Sequence, residues 1–203
     1  YGVSVPDPQD PTVFIRANVN GMDALHVGGE LDFAYHISPK ISFEGMVSYG
    51  DWTWQSAETI NVLGTEFTFD AKGVHVGDAA QSALSGAIRF EPFKSFYLKF
   101  QFQYFDRYYA NFDPFSLKEE DGNGGRESWR IPAYSMLNVF SGYRYKLKKF
   151  VLFCNGSVTN LLNNYFITDA RNNFNAPFNF DAQSANVMFG QGLRFNVSLG
   201  IQF

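Results

Sequence analysis

From Val187 onward the odd positions read Val187, Phe189, Gln191, Leu193, Phe195, Val197, Leu199, Ile201 and Phe203, apolar except at Gln191. The even positions after Met188 are Gly190, Gly192, Arg194, Asn196, Ser198, Gly200 and Gln202, all small or polar. A period of two sustained over about seventeen residues predicts a strand with one apolar and one polar face. Strands in soluble sheets run about 5–6 residues. A tilted strand crossing a bilayer needs ~9–11, and any surplus can stand clear of the lipid as barrel wall.

The same alternation recurs upstream. Leu25, Val27, Gly29, Leu31, Phe33, Tyr35 and Ile37 share one face, and His26, Gly28, Glu30, Asp32, Ala34 and His36 share the other. The phase extends back through Val19, Ala17 and Ile15, so Val13 to Ile37 reads as one long strand, with Gly21 and Asp23 in the part clear of lipid. After the turn Ser38-Pro39-Lys40, Ile41, Phe43, Gly45, Val47 and Tyr49 point outward. Leu84, Gly86, Ile88 and Phe90 lead to a turn at Glu91-Pro92-Phe93-Lys94, and Phe96, Leu98, Phe100, Phe102 and Tyr104 follow outward, with Lys99, Gln101, Gln103 and Arg107 on the opposite face. A further strand from about Ala133 to Leu147 places Leu137, Val139, Tyr143 and Tyr145 outward and turns at Lys146-Leu147-Lys148-Lys149 into Phe150, Leu152, Cys154, Gly156 and Val158.

Short connections near 38–40, 91–94 and 146–149 alternate strictly with long ones at about 57–72, 113–131 and 163–186. Short periplasmic turns and long extracellular loops are the arrangement of outer-membrane barrels. The expected fold is therefore all-β, an antiparallel transmembrane β-barrel segment of about seven long strands, with the C-terminus on the periplasmic side. Single-chain bacterial barrels close on even numbers from about eight upward, and an open sheet edge in lipid leaves backbone groups unpaired at several kcal/mol each. Residues 1–203 are thus expected to form the C-terminal portion of one barrel domain whose earlier strands lie outside this sequence, which begins with Tyr1.

Composition supports this reading. The chain has 23 Phe, 11 Tyr and 3 Trp, an aromatic excess that a lipid-facing band with interfacial girdles explains. No run of about eighteen apolar residues encodes a transmembrane helix, and the first residues do not have the pattern of a signal peptide. The 16 basic and 20 acidic residues give −4 and no basic stripe of the kind nucleic acid requires. The single Cys154 excludes an internal disulfide and a cysteine-based metal cluster, and reads as an apolar filler on the lipid face.

Candidate chemistry is sparse. His26, Glu30, Asp32 and His36 share a face, but residues four apart on a strand lie ~13 Å apart, so no metal or cofactor site is expected and they read as solvated lumen residues. Trp52 and Trp54 lie on the inward phase near the extracellular end of the second strand. They fit either stacking on a ligand or, as the commoner outcome, an aromatic rim packed on loops; with Arg107 and Tyr109 they are the candidate ligand-facing residues. The stretch Glu119-Glu120-Asp121-Gly122-Asn123-Gly124-Gly125-Arg126 has oxygen ligands and a glycine turn without a calcium-loop spacing, and reads as a mobile surface loop. Asn155-Gly156-Ser157 matches a glycosylation acceptor but falls inside a strand. No nucleophile, base and orienting acid come together in a pattern that suggests an enzyme.

Ile131-Pro132-Ala133-Tyr134-Ser135-Met136-Leu137-Asn138-Val139, Val158-Thr159-Asn160-Leu161-Leu162-Asn163-Asn164-Tyr165, Phe189-Gly190-Gln191-Gly192-Leu193-Arg194 leading to Phe203 and, upstream of them, His26-Val27-Gly28-Gly29-Glu30-Leu31 resemble motifs of TonB-dependent outer-membrane receptors. Tyr165 to Ala170, and Tyr108-Tyr109 before Asn111-Phe112-Asp113-Pro114, are similar to receptors from the Bacteroidetes. The chain departs from the family in having Gly28-Gly29 where Gly-Val is commoner and Leu193 before the Arg. The resemblance implies about twenty-two strands around a plug, of which these would be the last seven. It implies active import of a scarce solute such as a siderophore, cobalamin, oligosaccharide or peptide. The partners it implies are outer-membrane lipid, the remaining strands and plug, the TonB energy complex, the barrel assembly machinery and a surface lipoprotein. Phe203, with Ile201 and Leu199 before it, is implied to be the signal read by that machinery, and also fits a strand end at an aromatic girdle. A passive porin, another non-TonB barrel or a structural barrel subunit of an envelope complex would carry the same strand pattern.

Overall fold

The computed structural model describes residues 2–7, 9–10, 12–18, 21–62, 64–118, 121–172 and 179–203. Strand β1 (Gly2–Pro6) pairs with β2 (Phe14–Asn18) in a small antiparallel sheet of its own. After Gly21, which takes φ +87°, β3 (Ala24–Ser38) starts the main sheet. Val13 to Ile37 is therefore not one strand: the outward phase at Gly21 and Asp23 carries no apolar side chain, and the pairing partner changes there. Val19 lies outside the described residues.

β3 turns at residues 39–40 into β4 (Ile41–Trp54), the longest pairing in the molecule. The connection that follows holds a hairpin of β5 (Ala57–Val62) and β6 (Thr65–Asp70). β7 (Ser82–Phe90) and β8 (Phe96–Asp106) form the next pair. Beyond them, the two-residue strand β9 (Tyr108–Tyr109), a 3₁₀ turn at Pro114–Leu117 and β10 (Arg130–Ile131) fill the second long connection. Asp113 caps the 3₁₀ turn by accepting from the Phe115 N–H at 3.1 Å. β11 (Tyr134–Leu147) and β12 (Phe150–Thr159) complete the third long hairpin. The hairpin of β13 (Ile167–Asn172) and β14 (Ala185–Phe189) precedes the last strand, β15 (Arg194–Gln202).

Seven strands form one open antiparallel sheet in the order β15-β12-β11-β8-β7-β4-β3. Each strand except the edge pair lies between its neighbours along this meander, and the order matches the seven long strands read from the sequence. The final alternating stretch, however, is two strands: Val187 and Phe189 pair with β13, and the ladder to β12 starts only at Arg194. Gly190-Gln191-Gly192 is the break between them. The three long connections also carry strands and a helical turn of their own, which no alternation signal announced.

Register explains why two faces form. Rows such as Tyr35↔Phe43↔Ile88↔Phe100↔Val139↔Val158↔Phe195 run across all seven strands with apolar groups on one face. The opposite face pairs Glu44↔Ala87↔Gln101↔Asn138. Because the side-chain period is two, a slip of one residue would exchange the faces entirely. One close approach fixes the β3–β4 register further: a Cβ on Gly28 would lie 2.6 Å from the Tyr49 carbonyl oxygen and 2.9 Å from the Gly50 Cα.

The buried apolar core lies outside this sheet. Phe69, Ala71, Val74, Phe112, Leu117 and Phe180 form one cluster, with Trp54 and Trp129 packed against it. Tyr108, Ala110, Ile131 and Ala170 form a second, also touching Trp129. Both draw on the long connections, which fold together into a cap at one end of the wall.

Candidate functional site

The cap is joined to the wall where β4 ends. The Trp54 N–H donates to the Val74 carbonyl and the Val76 N–H to the Trp52 carbonyl, both at 2.9 Å, so residues 74–76 run beside β4 as a strand extension. Beyond Tyr49 the β4–β7 ladder stops, and the side-chain amide of Gln81 takes its place. Gln81 is 1 % exposed; it accepts from the Trp52 N–H at 3.0 Å and donates to the Trp52 and Val76 carbonyls at 3.0 and 3.2 Å.

On this seam sits a polar knot. The His75 ring lies with Nδ1 2.6 Å from Glu127 Oε2 and Nε2 3.4 Å from Asp51 Oδ1, and stacks on Tyr109 at 4.1 Å and 4°. Asp51 also accepts from Arg107 Nη2 at 2.9 Å, and Arg107 Nη1 donates to the Gly50 carbonyl at 2.6 Å. Arg107 takes φ +52°, ending β8 and turning its side chain back onto β4, over the Tyr49 ring. Glu127 accepts in addition from the His75 and Ser128 N–H groups at 3.1 and 2.8 Å. The imidazole and its partners brace four chain segments. Beneath it Tyr108 is buried and donates to the Thr168 carbonyl at 2.8 Å. Burial, then the negative charges of Asp169 and Asp78, push its phenol up to about 12.

Of the four candidate ligand-facing residues, Arg107 and Tyr109 come together in this knot. Trp52 lies beside it, edge-on to His26 at 5.3 Å, while Trp54 packs edge-on to Phe112 at 6.1 Å in the apolar cluster. All four make contacts within the chain. His75, Glu127 and Gln81 are the residues that sequence reasoning missed. They sit in long connections, and no local pattern marks them.

The motif around Asn160 has a structural account. Asn160 takes φ +51° where β12 ends. Its N–H donates to Asn138 Oδ1 at 2.9 Å, and its amide nitrogen donates to the Asn164 and Gln191 carbonyls at 2.9 and 3.1 Å. Asn164 donates its N–H back to Asn160 Oδ1 at 3.0 Å and its amide to the Ser135 carbonyl at 3.0 Å. The Leu193 N–H donates to Asn163 Oδ1 at 2.9 Å. These amides tie the starts of β11 and β15 to the end of β12.

The polar face of the wall carries a concavity of about 550 Å³ lined by Asp32, Glu44, Met46, Ser85, Gln101 and Gln103. Lys99 pairs with Glu44 at 2.5 Å along it, and Asn138 donates to Gln103 at 2.9 Å. No group of three or more His, Cys, Asp or Glu among the described residues could hold a metal ion. Residues 121–126 pack on the cap: the Gly125 N–H donates to the Asp70 carbonyl at 2.9 Å, and the Arg126 guanidinium lies 3.5 Å over the Phe180 ring. Glu119 and Glu120 lie outside the described residues. Cys154 is exposed on the apolar face, and Asn155-Gly156-Ser157 lies inside β12. Phe203 is 94 % exposed beyond β15, edge-on to Phe150 at 6.2 Å.

An open antiparallel meander, apolar on one face and polar on the other, with short turns at one end and a folded cap at the other, is the wall of a β-barrel seen over seven strands. No protein-family model and no curated protein matches the chain. Among solved structures it is similar to the siderophore receptor PiuA from Acinetobacter baumannii, at 16% identity and a TM-score of 0.58, over 98% of this chain. The chain spans 23% of that receptor's length. A likeness at this identity is one of fold.

Proposed function

We propose that this chain is the C-terminal wall of a larger TonB-dependent outer-membrane receptor that imports a scarce solute. The observation that carries the reading is the inverted wall: apolar side chains stand exposed on one face from β3 to β15, polar ones line the other, and the long connections gather at one end. A contiguous apolar face of this size marks contact with lipid or protein, and an outward apolar band around a polar interior is the pattern of outer-membrane barrels. The open edges of β3 and β15 support further strands of the same domain, because in lipid every edge group must be paired.

On this reading the short turns and the C-terminus are periplasmic, the cap is extracellular, and the protein performs transport and no catalysis. Phe203, Ile201 and Leu199 serve as the assembly signal. The cap, with Trp52, Trp54, Arg107 and Tyr109, contributes to the outer vestibule. The family resemblance supports a plug, the TonB complex and a surface lipoprotein as partners, and a ferric siderophore, cobalamin, an oligosaccharide or a peptide as the solute.

The test is uptake by cells expressing the full-length protein, using radiolabelled ferric siderophores, cobalamin, oligosaccharides and peptides, with and without TonB. Accumulation that requires both the protein and TonB is expected. Uptake indifferent to TonB, with steady conductance of the purified protein in planar bilayers, would favour a passive porin and sink the receptor reading.

A further inference from the structure

The wall is not uniform in charge. Although the chain carries 20 acidic residues and a net −4, none of them falls in 128–168 or 182–203, the segments that supply β11, β12 and β15. These strands and their turn carry Arg144, Lys146, Lys148, Lys149 and Arg194. Arg144, Lys146, Lys148 and Lys149 are all exposed, and none of the ion pairs among the described residues includes them. The turn between β7 and β8 differs: there Arg89 is paired with Glu91 at 2.7 Å. The 148–149 turn is thus a concentration of cations that no ion pair among the described residues neutralises.

Beside this turn the apolar face has a groove of about 620 Å³. Its sides are Tyr143 and Tyr145 of β11 and Leu199 and Ile201 of β15; its floor is Leu152 and Cys154 of β12. Register sets the depth, because Cys154 stands between Tyr143 and Leu199 in one row, and a cysteine is shorter than either flank. The groove therefore opens on the apolar face, with phenols near its rim and lysines at the end of the hairpin.

We propose that this groove and turn bind one anionic glycerophospholipid, with an acyl chain laid along the groove and the headgroup phosphate on Lys148 and Lys149. The inference rests on the membrane reading above, which puts the short turns at the periplasmic leaflet. Charge complementarity selects the occupant. A neutral lipid would fill the groove equally well but leave the lysines without a counter-charge, while an acidic protein surface would have no chain to place between Tyr143 and Leu199. Lysines near a membrane surface each favour anionic lipid by roughly fivefold, and the preference should weaken as salt shortens the screening length.

The experiment uses the full-length protein in phosphatidylcholine vesicles, with Cys154 and every cysteine outside this chain replaced by Ala and Val197→Cys added, so that a bimane label on the single remaining cysteine sits ~7 Å up the apolar face from the Leu199 row. Quenching by brominated phosphatidylglycerol is compared with quenching by brominated phosphatidylcholine at equal mole fraction. The anionic lipid should quench at least twofold more strongly, and Lys148→Glu with Lys149→Glu should bring the ratio to one. Equal quenching with the lysines in place, or a preference that survives their replacement, overturns the proposal. A heat-resistant folded band in pure phosphatidylcholine is scored separately, and its absence would overturn the membrane reading instead.

Discussion

The wall and the cap are built from the same kinds of residue with opposite polarity. Leu199 in β15 is 79 % exposed and Phe195 83 %, while Leu117 and Phe69 in the cap are 0 % exposed. The wall holds its strands by ladders and leaves its apolar rows outside, whereas the cap tucks its apolar groups between the hairpins. This difference teaches that burial is defined by the solvent each region meets. The cap solves the problem of a domain in water, with a closed core and ion pairs at its surface. The wall makes sense where the surrounding medium is itself apolar.

The comparison breaks most directly at Leu117, where the buried side chain packs among Phe69, Val74 and Phe112. Leu117→Ala should cost the cap ~2–5 kcal/mol through lost transfer energy and a cavity. Amide hydrogen exchange should rise through residues 65–75 and 108–118 and stay unchanged in β11 and β12. Equal loosening of cap and wall would show that the two are one cooperative unit.

A smaller effect of opposite medium dependence is expected at Leu199. It pairs with Cys154, four residues along from the turn, or ~13 Å at 3.3 Å per residue, about half the height of an apolar band. Leu199→Arg should destabilise the barrel in bilayers by ~2–4 kcal/mol, the range for a basic residue near mid-depth. Denaturant titration of the folded band in vesicles reads it. A cost near zero would place this row at an interface or against another protein.

The junction of the two regions is probed at Asn160. Asn160→Ala strands the Asn164 N–H and the Asn164 and Gln191 carbonyls that the side-chain amide serves, at ~1–3 kcal/mol for unsatisfied buried groups. Exchange should quicken at the starts of β11 and β15 while the centre of the cap stays protected. Asn160→Asp keeps the acceptor for the Asn164 N–H and loses the donor to the Asn164 and Gln191 carbonyls, so it should recover part of the loss.

The wall was legible in the sequence because alternation reports a face directly, and the outward positions predicted in its seven strands lie on one side of the sheet. Partnership was not legible. The outward phase resumes unshifted at Leu25 after Gly21 and Asp23, and at Leu193 after Gln191, yet Gly21 and the Gly190-Gln191-Gly192 segment hand the chain from one sheet to another. The knot was half visible: Arg107 and Tyr109 follow a readable strand, whereas His75 meets Glu127 at a separation of 52 residues that includes β7 and β8, a pairing no local signal encodes. Trp52 and Trp54 share a phase but part company, because packing of the cap draws Trp54 into a core that periodicity does not reveal.

The smallest effect at neutral pH is expected at Tyr108, which belongs to the cap alone. Its phenol titrates near 12 in the folded cap, raised by burial first and then by Asp169 and Asp78, against about 10 when unfolded. The raised value means that the neutral phenol's contribution is complete below about pH 10 and is lost as pH climbs toward about 12. Tyr108→Phe removes the bond to the Thr168 carbonyl, so at pH 7 the variant cap should be weaker by ~1 kcal/mol. It also removes the titration, so the gap should close and then reverse as pH rises past about 11. Trp129, which packs on both apolar clusters, reports cap opening by fluorescence in either protein. Parallel pH profiles, with no crossing, would mean that the phenol reaches water through openings smaller than the cap.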